Sequence, residues 1–209
     1  MNEDIKFTSA TSLSRREVLK VAVAGLLTGA AAPLFSPLPT AGAAVTDAGS
    51  KKVLIVYYSR SGNTREIANQ IHLAIGGDIV DIQTVNPYPD DYRETTTKAK
   101  LELESGYKPP LKTKIANLAT YDFVFLGSPN WWGTIATPVM TFLSESDLSG
   151  KTIAPFMTHG GSALGRGSAD IGKFCPKSSI LDGLAVLGKN ATTSQNEVIA
   201  WLGQLGLKG

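Results

Sequence analysis

Three short stretches of this chain carry residue types that could bind or orient a ligand. The first is Ser59-Arg60-Ser61-Gly62-Asn63-Thr64, with three hydroxyls, a glycine and an asparagine directly ahead of a helical pattern. Successive backbone N–H groups at a helix amino terminus, together with the positive end of the helix dipole, favour an anion such as a phosphate. Ser59, Ser61 and Thr64 would add hydroxyl donors; the alternative is that Asn63 or Thr64 simply caps the helix. The second stretch is Ser128-Pro129-Asn130-Trp131-Trp132-Gly133-Thr134. Adjacent tryptophans cannot both enter the same side of a core. At least one is expected to be free to stack on a planar ligand, unless both indoles pack under neighbouring loops. Gly133 frees the backbone there for positive φ. The third, Thr158-His159-Gly160-Gly161-Ser162, is rich in backbone freedom and reads equally as a ligand loop or a plain connection.

The elements that must hold these stretches follow from apolar patterning. Residues 53–58 form a continuous β-branched and aromatic run, the mark of a strand covered on both faces. Residues 65–75 place Ile67, Ala68, Ile71 and Ile75 at helical spacing, and Gly76-Gly77 stops that helix. Residues 78–85 alternate Ile79, Val80, Ile82 and Val85 with polar positions and read as a second strand. Pro87, Pro89, Pro109 and Pro110 bracket a polar excursion holding a short helix over 90–104. Residues 123–127, 153–157 and 181–187 are the third, fourth and fifth strands. Residues 194–205 form a closing amphipathic helix carrying Val198, Trp201, Leu202 and Leu205. Strands alternating with helices predict an α/β domain, doubly wound, with a mostly parallel sheet and helices on both faces. Ligands of such sheets sit outside the carboxyl ends of strands, near the point where strand order reverses. The three stretches follow strands one, three and four.

The 209 residues include 20 Lys+Arg against 18 Asp+Glu, a net charge of +2, with 43% apolar and 8% aromatic residues. That is ordinary globular material, and without a basic stripe it gives no support for nucleic-acid binding. Cys175 is the single cysteine, which excludes an intramolecular disulfide framework and a Cys-based zinc site. The two histidines, His72 and His159, stand far apart without a ligand cluster, so no metal is expected. Residues 1–43 contain Arg15-Arg16, a modestly apolar run over 21–35, prolines at 33, 37 and 39, and Ala41-Gly42-Ala43. The apolar run is shorter than the roughly 20 residues a membrane span needs. Paired arginines before a weakly apolar core resemble a twin-arginine export signal, an uncleaved anchor helix being the alternative. The expectation is export to the periplasm or cell-envelope exterior, by a route that moves folded proteins and so suits a cofactor inserted beforehand. Residues 44–50 then form a linker, and 51–209 one domain with no transmembrane segment. Removing residues 1–43 leaves a net charge of +1.

Ser59-x-Ser61-Gly62-x-Thr64, joined with Gly127-Ser128-Pro129-x-Trp131-Trp132-Gly133, resembles the flavodoxins. The resemblance covers residues 51–209. It implies a five-stranded sheet in order 2-1-3-4-5 that binds flavin mononucleotide (FMN) non-covalently. By that resemblance, Ser59, Arg60, Ser61, Gly62, Asn63 and Thr64 hold the 5′-phosphate. Pro129, Asn130, Trp131, Trp132 and Gly133, with His159, Gly160 and Gly161, flank the isoalloxazine ring. Two departures stand out. No aromatic residue lies between Thr158 and Phe174 to cover the second ring face, so His159 substitutes or that face is open. The near-neutral charge also differs from the acidity common in the family.

The implied function is an electron carrier cycling between quinone, semiquinone and hydroquinone. It would serve redox partner proteins or a small-molecule reductant or acceptor, with no catalytic side chain. A carbonyl near Gly133 is expected to turn toward the ring, because glycine makes the turn inexpensive. The alternatives are an NAD(P)H-dependent flavin or quinone oxidoreductase, favoured by an open ring face, and the same fold without flavin. Other motifs fail. Gly183-x-x-x-x-Gly188-Lys189 has Asn190 where a triphosphate loop needs a hydroxyl. Gly165-x-Gly167 lacks a third glycine, Ser162 lacks the nucleophile-elbow spacing, and Cys175 reads as a half-buried structural thiol.

Overall fold

The structure, a computed structural model, describes residues 51–207; the export signal and linker expected over residues 1–50 lie outside the described residues. In chain order the elements are β1 (Val53–Tyr57), α1 (Asn63–Ile75), β2 (Asp78–Asp81), α2 (Tyr92–Ser105), β3 (Phe123–Trp131) and β4 (Thr134–Ile135). They continue with α3 (Thr137–Glu145), β5 (Thr152–His159), α4 (Gly167–Phe174), β6 (Ser179–Ile180), β7 (Leu184–Leu187) and α5 (Gln195–Gln204).

Alternation along the central strands sorts the core into two layers. Leu54, Val56, Val124, Leu126 and Ile153 point to one face, where α3 supplies Val139, Phe142 and Leu143 and α4 supplies Ile171. Ile55, Phe125, Ala154 and Phe156 point to the other, against Ile67, Ala68 and Ile71 of α1 and Val198, Trp201 and Leu202 of α5. Cover on both faces is why these strands read as unbroken apolar runs. The order is β2-β1-β3-β5, with β6 and then β7 along the far side of β5. Every one of these pairings is parallel. Counting β6 and β7 as one position, this is the expected 2-1-3-4-5, reversing between β1 and β3.

Tertiary contacts alter several boundaries. The expected fifth strand over 181–187 is two short segments separated by residues 181–183. Between the pairs Ile153–Ile180 and Phe156–Leu184 the edge strand accommodates one extra residue, a bulge. It lies opposite Pro155, which has no N–H to give the ladder. The second strand stops at Asp81. Beyond it β1 has turned away, so residues 83–85 pair instead with the returning arm of the proline-bracketed excursion. Val85 N–H donates to Pro110 O at 2.8 Å, and Gln83 N–H to Thr113 Oγ1 at 2.8 Å. β3 runs four residues past the expected end at Gly127, pairing Pro129 with Thr158 before it enters a hairpin with β4. α1 starts two residues early. α3 and α4 were not legible as separate helices; each is under three turns, and α3 opens on Thr137-Pro138, proline being well placed in a first turn. Cys175 is buried rather than half-buried. Among the described residues no helix is long and apolar enough to cross a membrane, and no His, Cys, Asp or Glu group is arranged to hold a metal ion.

Candidate functional site

The loop after β1 delivers an uncapped helix end. Gly62 occupies the N-cap position of α1 at φ 90°, a left-handed conformation suited to glycine, and no side chain caps the helix. The first backbone bond of the helix runs from Glu66 N–H to Gly62 O at 2.9 Å, so the amides of the preceding turn are left for an anion. Neither Asn63 nor Thr64 acts as the cap. Asn63 lies against Gly188, where an added Cβ would stand 2.7 Å from its Nδ2. Thr64 is buried, and its hydroxyl shares a hydrogen bond with that of Thr158 at 2.8 Å, tying the loop to β5. Ser59 Oγ is buried with no hydrogen-bond partner. Arg60 donates to Asp90 O at 3.0 Å and lies 5.9 Å from the Tyr92 ring centroid.

The tryptophan stretch is a hairpin. Trp131 pairs with Thr134, and the two residues between, Trp132 and Gly133, have φ values of 53° and 83°. Positive φ at both central positions is the type I′ turn that matches strand twist. Gly133 adopts it readily and Trp132 under strain. Asn130 braces the turn: its Oδ1 accepts from Gly133 N–H at 2.9 Å while its Nδ2 donates to Ala163 O at 2.8 Å. The indoles separate. Trp131 is half-buried and meets Tyr88 and Tyr58 edge-on at 4.9 and 5.6 Å. Trp132 is 54% exposed; its Nε1 donates to Thr96 O on α2 at 3.0 Å, with Lys100 Nζ 5.3 Å from the ring centroid. The expected turning of the Gly133 carbonyl meets an obstacle: that oxygen accepts from Arg166 N–H at 2.8 Å, so rotation would break an existing bond.

Behind Trp131, burial pushes the Tyr58 and Tyr88 phenols well above their ordinary range, and hydrogen bonding to Glu102 adds to the effect on Tyr88. Both remain neutral at physiological pH. Tyr88 donates to the buried Glu102 carboxylate, which also accepts from Thr137 at 2.6 Å. The third stretch ends β5 at His159, half-buried, with an unpartnered buried Nδ1. Residues 160–163 after it are exposed and carry no side chain larger than serine.

The three stretches meet in one cleft of about 820 Å³ at the carboxyl edge of the sheet. Arg60, Ser61 and Asn63 line one end, Pro129, Asn130, Trp131, Trp132 and Gly133 one wall, and His159, Gly160 and Gly161 the facing wall. Ser59, Gly62 and Thr64 shape the loop without lining the cleft. Sequence reasoning missed two contributors. Tyr92, Thr95, Thr96 and Ala99 of α2 close the outer side, and Gly188-Lys189 meet Asn63 at the anion-receptive end. The polar excursion carried no ligand signal, and Lys189 belonged to a rejected nucleotide motif.

A family model described as flavodoxin matches residues 52–205. A crystal structure from Bacteroides eggerthii, described as a flavoprotein, is 31% identical with a TM-score of 0.66, covering 75% of this chain and 99% of that one. A flavoprotein from Lactobacillus acidophilus, solved in complex with FMN, is 26% identical with a TM-score of 0.58, covering 69% of this chain and 98% of that one. An NAD(P)H dehydrogenase (quinone) of Azorhizobium caulinodans is 32% identical over 123 residues, 53% of this chain. The chain spans 59% of that relative's length.

Proposed function

The chain belongs to the flavodoxin family, and we propose that it holds FMN in the cleft and carries single electrons between redox partners. One observation carries the proposal: an uncapped helix amino terminus and an indole wall open into the same cleft. The residues present fit the group. The first-turn amides of α1, which no side chain caps, suit a phosphate dianion without a buried cation, and Ser61 and Asn63 line that end of the cleft with polar groups. Trp131, which Tyr58 and Tyr88 hold edge-on, would offer an aromatic wall to a planar ring.

When bound, the flavin supplies the redox chemistry, and the protein supplies orientation and electrostatics. Ser61 and Asn63 bind at the phosphate end, with Arg60 and Lys189 adding positive charge at its rim. Trp131 excludes water from one ring face, and its apolar surface disfavours extra negative charge there. Asn130 holds the turn beside the ring through its two hydrogen bonds. Fluorescence titration of the purified chain with FMN should quench to a one-to-one end point, and Ser61→Ala with Asn63→Ala should weaken it. Absence of quenching at micromolar FMN would remove the proposal.

A second reading, a reductase taking hydride from NAD(P)H, is favoured by the bare wall over residues 160–163, because hydride transfer needs direct contact with an uncovered ring face. Anaerobic mixing of the flavin-loaded protein with NADPH separates the two: rapid bleaching of the flavin band supports the reductase, an unchanged band the carrier. The proposal retains export through Arg15-Arg16. A chain with both arginines changed to lysine should stay in the cytoplasmic fraction, whereas equal export of the two forms would contradict it.

A further inference from the structure

The Trp132–Gly133 turn holds a strained conformation, with φ 53° at a tryptophan, so something outside the hairpin must over-determine it. Three ties reach it from the segment over residues 163–170. Asn130 Nδ2 donates to Ala163 O at 2.8 Å, and Arg166 N–H donates to Gly133 O at 2.8 Å. Thr134 Oγ1 donates to Asp170 Oδ2 at 2.6 Å. The last joins two side chains away from solvent, Thr134 being 0% and Asp170 8% exposed. Asp170 is aimed by its own helix. Arg166 Nε holds Oδ2 at 3.0 Å and Lys173 Nζ holds Oδ1 at 2.7 Å, one turn to either side. The carboxylate therefore meets the hairpin already oriented, and its charge strengthens the hydroxyl bond.

We propose that Asp170, through Thr134, is the positioning residue that clamps the Trp132–Gly133 turn to α4, so that both walls of the cleft move as one body. Asp170 does not itself line the cleft. The clamp stands on its own geometry; its consequence for flavin rests on the FMN reading above. Without the clamp the turn relaxes its strained φ and populates conformers that do not frame the cleft. Affinity then falls by the fraction of competent molecules.

The test uses the full chain and two readouts. Amide hydrogen exchange of residues 132–134 without ligand reports the clamp, and FMN fluorescence quenching reports its effect. Thr134→Val, which keeps the shape and removes the donor, and Asp170→Asn should each lower protection and raise the FMN dissociation constant about tenfold, for a competent fraction near one tenth. Thr134→Ser restores the donor and should recover both readouts. Lys173→Gln removes one of the two bonds that orient the carboxylate and should lower protection less than Asp170→Asn does. If Asp170→Asn fails to fold, Thr134→Val decides. Exchange as slow as wild type in Thr134→Val overturns the clamp, and faster exchange with unaltered affinity overturns the positioning role. Should wild type itself ignore FMN, the functional reading falls while the exchange data still judge the clamp.

Discussion

A methyl group added at Gly165 has nowhere to go. The backbone there has φ 54°, and an ideal Cβ would stand 2.3 Å from Gly133 O and 2.9 Å from Gly133 C. Both are main-chain atoms, and the oxygen is already held by Arg166 N–H. The carbonyl would have to retreat by at least about 0.7 Å to reach the shortest Cβ separation that real side chains show, 3.0 Å. Three costs combine in Gly165→Ala. A left-handed conformation at a non-glycine residue costs about 1–2 kcal/mol. Overpacking costs about 1–3 kcal/mol, and the hydrogen bond to Gly133 about 0.5–1.5 kcal/mol. The loss of unfolded-state freedom returns about 0.4–1 kcal/mol, leaving a net destabilisation of about 1.5–6 kcal/mol, a large part of a typical domain's stability. Gly172 supplies the control. It lies seven positions on, within α4, with no atom within 4 Å of an added Cβ. Gly172→Ala should stabilise by about 0.5–1 kcal/mol, the usual gain for alanine inside a helix. Urea unfolding with a common slope measures both. Equal midpoints for Gly165→Ala and wild type, or a comparable loss for Gly172→Ala, would refute the geometry on which the clamp also depends.

Ser59→Ala should leave the ligand-free protein as stable as wild type or slightly more so, since it removes a buried hydroxyl without a partner. Ser61→Ala, at a residue that lines the anion-receptive end of the cleft, should weaken FMN about tenfold or more, as expected for losing a hydrogen bond to a charged group; titration and urea unfolding of each variant check the two outcomes. Burial pushes the Asp170 carboxyl up, but hydrogen bonds from Lys173, Thr134 and Arg166 outweigh it and hold the group below its ordinary value. Its contribution to stability is therefore complete above the unfolded carboxylate range, near pH 4, and lost as pH falls through the lower folded value. The stability gap between wild type and Asp170→Asn should be constant from neutral pH to about pH 5 and narrow in stronger acid; a gap independent of acidity would disprove it. Burial also pushes the Cys175 thiol up, so a thiol-specific chromogenic reagent should react at mildly alkaline pH only after urea is added. Prompt labelling of the folded protein would contradict this.

Much of the fold is written locally. Residues 53–57, 123–126 and 153–157 are apolar at nearly every position because helices cover both faces of the sheet, and the periodicity of α1 and α5 follows from each having one covered face. The hydroxyl and glycine stretch ahead of α1 and the paired tryptophans were legible for the same reason: chemistry at strand ends needs residue types a core would not choose. Long-range partners decided the rest. Trp131 and Trp132 are neighbours of the same type, yet Tyr58 and Tyr88 claim one while Thr96 O and Lys100 claim the other. β3 outruns its apolar run because β5 and β4 offer it pairing, and the edge strand breaks because Pro155 withholds a donor. Asp170, an unremarked acid in a short helix, gains its place from Thr134, 36 positions away. A side chain's type and spacing disclose which surface it prefers. Which atom it finally meets depends on segments distant in the chain that packing alone brings within hydrogen-bond reach.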